Sequence, residues 1–271
     1  MQLIALDNQK SILIAFAEKR KNYTCPECGA TVRVRAGPKK QPHFFHLTSN
    51  SACHLENKSL EHIQTQLYIQ SVLPHVKLER EFPEIGRIAD VVWEDARIVF
   101  EVQRSPISVT EVKERIENYM QAGFFTVWIL HERNFNQTTL SEAEEYLCTK
   151  WLTYFTNING EGEGIIYDQA ETIEKGRRKW KSSPFQLNLN FPKQLDIQSD
   201  LLLEARVSNI PQIKNRINKP FLIEGDFLDQ FTQDPLRFQA LQNEKIKEIK
   251  KERGRYPRLI SAGLEWLLRF T

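Results

Sequence analysis

The sequence predicts a mixed α/β protein, with a small metal-binding, β-rich module before the main core and a mainly helical region behind it. Three observations carry that prediction. A Cys-x-x-Cys pair is followed by clustered His and Cys between residues 25 and 53. Between Ser59 and Leu130 the elements read α-β-β-β-α-β, and helical periodicity returns from Asp226 to Phe270. The expected divisions are therefore 1–57 for the module, 58–150 for the core and 151–271 for the C-terminal region.

In the module, LIALD and SILIAF are short β-type runs separated by the polar NQK, which reads as a hairpin. TVRVRAG, with alternating Val and Arg, offers a further strand. The period then changes. SLEHIQTQLYIQSVL places Leu60, Ile63, Leu67 and Val72 on one helical stripe, with Ser59 as N-cap. HVKLEREF, RIADVVW and RIVFEVQ read as strands, the last two joined by a turn at Glu94–Ala96. SVTEVKERIENYMQAG reads as a helix capped by Ser108 or Thr110 and stopped by Gly123. FFTVWIL is a continuous apolar run and reads as a buried strand.

The composition is that of an ordinary globular protein, with 41% hydrophobic and 27% charged residues among 271. A formal net charge of +2 neither demands nor excludes a polyanionic partner, so any nucleic-acid argument rests on local clusters. The N-terminal apolar run lacks a cationic leader, and no run approaches the roughly 20 apolar residues a membrane span needs. A cytoplasmic protein without a membrane partner is expected. In that reducing compartment, the crowding of Cys25, Cys28 and Cys53, with Cys148 apart, favours a metal over a disulfide.

A Cys-x-x-Cys knuckle fixes two thiolates on one turn, and zinc needs two more ligands to close a tetrahedron. His43, His46 and Cys53 offer one more than required. The preferred set is Cys25, Cys28, His46 and Cys53, with His43 as alternative or supporting ligand. A segment so short and polar has little core of its own, and a structural zinc gives it a reason to fold.

The strands raise a different question, because a carboxylate inside a strand is costly unless it is paired or holds a metal. Asp90 lies inside RIADVVW, and Glu101 and Gln103 share one face of RIVFEVQ. The short turn between the two strands brings Asp90 close to Glu101. Two rigidly held carboxylates suit Mg²⁺, which prefers oxygen ligands. An unpaired carboxylate pair is also a liability, so Asp90→Asn and Glu101→Gln are expected to melt at or above the parent temperature. Trp93 and Trp128 read as core, His62 as a substrate contact or a packed residue, and Arg104, Lys113 and Arg115 as solvated cations. The basic tracts Lys175–Lys181 and Lys245–Arg258, with Trp180 and Tyr256 interleaved, suit a phosphate backbone.

CPEC at 25–28, PHFFH at 42–46 with Cys53, SLEH at 59–62, IADVVW at 88–93 and FEVQRSPIS at 100–108 together resemble the PD-(D/E)XK nuclease superfamily. They resemble the competence protein CoiA family more closely, from the N-terminus to about residue 150. The resemblance implies a restriction-endonuclease-like αβββαβ core in which Asp90 and Glu101 hold Mg²⁺ or Mn²⁺. It also puts Gln103 in the place of the superfamily lysine and has Glu61 assist from the first helix. This chain departs from the pattern at Gln66, where relatives carry a lysine, and glutamine at 103 cannot supply the missing charge. The implied function is a DNA nuclease or processing factor supporting recombination of incoming DNA in genetic transformation. Its implied partners are single-stranded or branched DNA and a strand-exchange recombinase. A DNA-binding or recombinase-binding adaptor that does not cut, or a nuclease of repair or defence, is the alternative.

Overall fold

The computed structural model describes residues 1–194 except Lys39, Ala52, His54 and Asn57, together with 221–227 and 229. The expected helical tail lies outside these residues, save Asp226, Phe227 and Asp229, and so does the basic tract Lys245–Arg258. Among the described residues no helix is long and apolar enough to cross a membrane.

The N-terminal module is a five-stranded sheet in the order β2-β1-β3-β4-β5. The predicted hairpin is β1 (Ile4–Asp7) with β2 (Lys10–Leu13), and β3 (Tyr23–Thr24) joins it to β4 (Thr31–Gly37). The PHFFH segment is itself the last strand, β5 (Lys40–His46). Val32, Phe44 and Tyr23 fill the module's core together with Cys25 and Cys53.

The main sheet has seven strands, in the order β14-β11-β10-β9-β8-β7-β6. Helix α1 (Leu60–Val72) begins at Ser59, whose hydroxyl accepts from the His62 N–H at 3.2 Å. It leads into antiparallel β6 (Val76–Phe82), β7 (Arg87–Trp93) and β8 (Ile98–Gln103). Helix α2 (Val109–Gln121), capped by Ser108, carries the chain across to β9 (Phe125–His131), parallel to β8. This is the predicted α-β-β-β-α-β order. Of the predicted stripe Ile63 is fully buried, and Leu67 and Val72 pack against the core partly covered; the inward face also takes in His62, Thr65, Gln66 and Ile69.

The sheet continues past residue 150. A second crossover, α3 (Glu142–Lys150), returns the chain to β10 (Thr153–Thr156), which pairs parallel with β9. β11 (Ile166–Asp168) and β14 (Phe185–Gln186) extend the sheet further. A ribbon of β12 (Glu171–Glu174) and β13 (Arg177–Lys181) lies apart, as does the pair β15 (Asn188–Gln194) and β16 (Phe221–Glu224). The described part of residues 151–271 is thus strands where a mainly helical region was expected. The signal for α3 was present as Ser-x-x-Glu at 141–144: Ser141 Oγ accepts from the Glu144 N–H at 3.2 Å.

The ribbon is held by a buried clamp. Arg178 Nη2 donates to Glu144 Oε1 at 3.0 Å and its Nε to Glu171 Oε2 at 2.5 Å, and all three side chains are nearly inaccessible. Arg178 is therefore withdrawn from the basic surface that the tract Lys175–Lys181 suggested, whereas Arg177 and Lys179 stay exposed. Removing one partner of a buried ion pair strands the others, so Arg178→Ala should cost about 3–5 kcal/mol in urea denaturation. Arg177→Ala next to it should cost less than about 0.5 kcal/mol. Equal effects would contradict the clamp.

Candidate active site

In the module, Cys25, Cys28, His46 and Cys53 place one ligand atom each within 4.8 Å of one another. The Sγ atoms of Cys25 and Cys53 are 3.8 Å apart, and Cys28 Sγ is 3.3 Å from His46 Nε2. A tetrahedron with Zn–S bonds of about 2.3 Å has S–S edges of about 3.8 Å, so this donor set fits zinc. The knuckle turns on Gly29, whose φ of +70° suits glycine, and closes with a Gly29 N–H to Cys25 carbonyl bond of 3.0 Å. His43 is three residues from His46 on one strand and faces the other side, its Nδ1 2.8 Å from the Gln41 carbonyl. The four preferred ligands come together and the alternative does not join them. Burial raises the Cys25 and Cys53 thiols above their ordinary range, Cys53 with help from the adjacent Glu27 carboxylate. Loading a metal there would release protons.

The second site lies where β7 and β8 part. Their register runs from Trp93↔Ile98 to Val91↔Phe100. One residue further on, the Val102 N–H donates to Asp90 Oδ2 at 2.9 Å instead of to backbone. The other oxygen, Oδ1, accepts from Lys58 Nζ at 2.7 Å, His62 Nε2 at 3.0 Å and Gln66 Nε2 at 3.0 Å. Burial works against the Asp90 carboxylate, but His62 and Lys58 outweigh it and hold its pKa well below the usual range.

Lys58, which the sequence reading did not single out, also bonds Glu79 Oε1 at 3.1 Å. Burial opposes its charge, yet Asp90 and Glu79 together raise its pKa. Glu79 Oε2 in turn accepts the N–H groups of Leu3 and Ile4 at 2.8 and 2.9 Å. One cation thus links the module, the edge strand β6 and the buried aspartate.

Glu101 is drawn to the other helix. Its Oε1 accepts from Tyr119 Oη and its Oε2 from Arg115 Nη1, both at 2.7 Å. Burial first, and then the Asp90 charge, raise the Glu101 pKa. Arg115 is therefore a half-buried partner, also bonded through Nε to Glu111 Oε1 at 2.8 Å, and not the expected solvated cation. Gln103 Nε2 donates to the Ser105 carbonyl at 2.6 Å. Glu61 is turned away from both carboxylates, within 3.3 Å of Arg104 Nε and of Arg133 Nη1. The helix residues that do meet Asp90 are His62 and Gln66. A cleft of about 580 Å³ opens here, lined by Lys58, His62, Asp90, Gln103, Arg104 and Arg115 among others.

The donors at this site are hard oxygens, as Mg²⁺ requires. Asp90 Oδ1 is already filled by three donors, whereas Asp90 Oδ2 and both Glu101 oxygens accept one bond each and keep acceptor capacity. Gln66 Oε1, buried beside Asp90, has no hydrogen-bond partner among the described residues. The residues fit a divalent ion on chemistry, although Lys58 and His62 would share Asp90 with it.

Two predictions follow from these geometries. Protein purified without added metal should carry about one zinc per chain by elemental analysis, and zinc near zero would refute the module site. In thermal melts Cys53→Ser should lose more than Cys148→Ser, because only the first removes a ligand.

The expectation that both carboxylate variants melt at or above the parent is revised, since neither carboxylate is unpaired. A depressed folded pKa means that ionised Asp90 stabilises the native state above the ordinary aspartate range, whereas ionised Glu101 with its raised pKa does not. Asp90→Asn should therefore cost about 3–5 kcal/mol by urea denaturation, and Glu101→Gln clearly less. The reverse order would be inconsistent with the pairing described.

Comparison with known proteins agrees with this architecture. Residues 6–56 match the family described as "Competence protein CoiA, N-terminal domain", and residues 50–169 match "Competence protein CoiA, nuclease-like domain". The competence protein CoiA of Bacillus subtilis (strain 168) is 27% identical over 161 residues, which is 55% of this chain and 41% of that protein. The match thus spans less than half of the relative's length. No solved structure matches the chain significantly. The nuclease-like match ends at residue 169, beyond β10 and α3, as the continuous sheet does. On these grounds the chain belongs to the competence protein CoiA-like family.

Proposed function

We propose that the chain is a metal-dependent DNA nuclease or DNA-processing factor of the cytoplasm, acting on single-stranded or branched DNA taken up during genetic transformation. The observation that carries this reading is the pair Asp90 and Glu101, buried at neighbouring positions of two central strands beside a cleft ringed by Lys58, His62, Arg104 and Arg115. A divalent ion bound there would supply Lewis-acid stabilisation of phosphodiester charge and an activated water. The chain's own groups do the rest. Lys58 supplies the positive charge that Gln66 and Gln103 lack, and it is held in place by Glu79. Arg104 and Arg115 face the cleft as phosphate partners, and the Gln103 amide orients water or a phosphate oxygen. The strand-exchange recombinase enters as the partner that would receive the processed strand.

The adaptor reading, in which the nuclease fold binds DNA without cutting, has one observation in its favour. Both carboxylates are already neutralised by the protein's own cations. The two readings separate on purified protein incubated with single-stranded, duplex and branched DNA, with Mg²⁺ or Mn²⁺. The parent should cut at least one form, Glu101→Gln and Asp90→Asn none, and Gln103→Ala more slowly than the parent. Binding should survive all three changes. A parent that cuts nothing hands the case to the adaptor; carboxylate variants that cut like the parent place the site elsewhere.

A further inference from the structure

A second groove, of about 420 Å³, lies on the N-terminal module against the start of α1, lined by Arg35, Gln41, His43, Phe45, Glu56 and Leu60 among others. Strand alternation explains its wall. In the β4–β5 register Arg33 is opposite Phe45 and Arg35 opposite His43, so all four project from the face opposite to core residues Val32 and Phe44. Arg33 and Arg35 are exposed and Phe45 is half-buried. Arg35 and Phe45 line the groove, and Arg33 stands beside it with its Nε donating to Asn22 Oδ1 at 2.7 Å. The Arg35 guanidinium lies 4.1 Å from the Phe45 ring centre, a stacked cation on an aromatic face.

Charge points the same way. Residues 1–57 hold Lys10, Lys19, Arg20, Lys21, Arg33, Arg35, Lys39 and Lys40 against Asp7, Glu18, Glu27 and Glu56. That is an excess of four positive charges, whereas the whole chain has only two. A zinc ion with three thiolates would reduce the excess by one and leave it positive. The module is thus net basic on its own, as are the tracts Lys175–Lys181 and Lys245–Arg258, while the rest of the chain is acidic.

We infer that this groove is a second nucleic-acid subsite that takes single-stranded DNA. A base stacks on the Phe45–Arg35 pair while Arg33 and Arg35 meet phosphates, a combination that suits a strand whose bases are free to splay. Position gives the subsite its purpose. Leu60 lines the groove, while Ser59 and His62 line the cleft that holds Asp90, so the first turn of α1 is a wall common to both. A strand seated on Phe45 passes over that turn into the cleft. The assignment rests on reading the cleft as a DNA-processing site only for this purpose; the binding itself does not require cleavage.

The test is fluorescence anisotropy of the full chain with labelled oligothymidylate and with a labelled duplex, without added divalent metal. Phe45→Leu keeps a packed apolar residue and should weaken single-strand binding about 5- to 100-fold, with little change on duplex. Arg35→Gln with Arg33→Gln should weaken it and lower the slope of log affinity against log salt by about 1 to 2. Phe45→Trp should retain affinity, which separates loss of stacking from loss of fold. The subsite is overturned if the parent does not bind oligothymidylate. It is equally overturned if the variants bind like the parent, if single strand and duplex weaken equally, or if Phe45→Trp is as weak as Phe45→Leu. Each of these outcomes is read as binding, so it stands apart from whether Asp90 supports cleavage.

Discussion

Lys58 lies between two buried carboxylates, and much of this molecule is arranged around that fact. A charge removed from water is costly, and it is tolerated only when its partners are fixed and well aimed. Asp90 and Glu79 meet that requirement from two adjacent strands, β6 and β7. Glu79 has its second oxygen tied to the backbone of Leu3 and Ile4, so the entry of the N-terminal module is fixed by the same carboxylate that fixes Lys58. Its backbone φ of +46° is uncommon for a non-glycine residue, and those contacts hold it there. The module also covers the neighbourhood of an edge strand, which would otherwise offer unpaired backbone groups.

The same arrangement explains why two similar acids behave differently. Asp90 gathers Lys58, His62 and Gln66 from the α1 side of the sheet, and Glu101 gathers Arg115 and Tyr119 from α2. Their pKa values move apart accordingly, one down and one up. Asp90 lines the cleft and Glu101 lies buried behind it, and unlike pKa values at such close quarters are a common property both of functional sites and of ion-pair networks. The Cys25, Cys28, His46 and Cys53 cluster is of a different kind. Its four soft and borderline donors close a full ligand set, which suits a structural role in a small sheet.

The sequence made much of this legible, for physical reasons that differ by element. Alternation and turn spacing located β6, β7 and β8, and Ser59 and Ser108 marked both helix starts by hydroxyls that do cap N–H groups. The metal ligands were readable because cysteines crowd for few other reasons in a reducing compartment. Lys58 was not readable. A lysine just before a helix cap is ordinarily solvated, and only the fold reveals that Glu79, 21 residues later, meets it. Glu61 misled for the complementary reason. It has the right type and place on α1, but helical geometry turns the next residue, His62, toward Asp90. The strands after residue 150 were obscured by shortness, since β11 and β14 have three and two residues and leave no periodicity to read.

The central claim is that Lys58 and Asp90 form one buried electrostatic unit from which the site and the module contact are built. A double-mutant cycle of Lys58→Met and Asp90→Asn, read by urea denaturation of the zinc-loaded full chain, measures it directly. Lys58→Met takes the shared cation from Asp90 and Glu79, and Asp90→Asn leaves Lys58 with Glu79 alone. The double variant loses the Lys58–Asp90 attraction only once, so the singles should sum to more than the double by about 2–3 kcal/mol. A coupling below about 0.5 kcal/mol would mean that the two groups are independent, and the account would fail at its foundation.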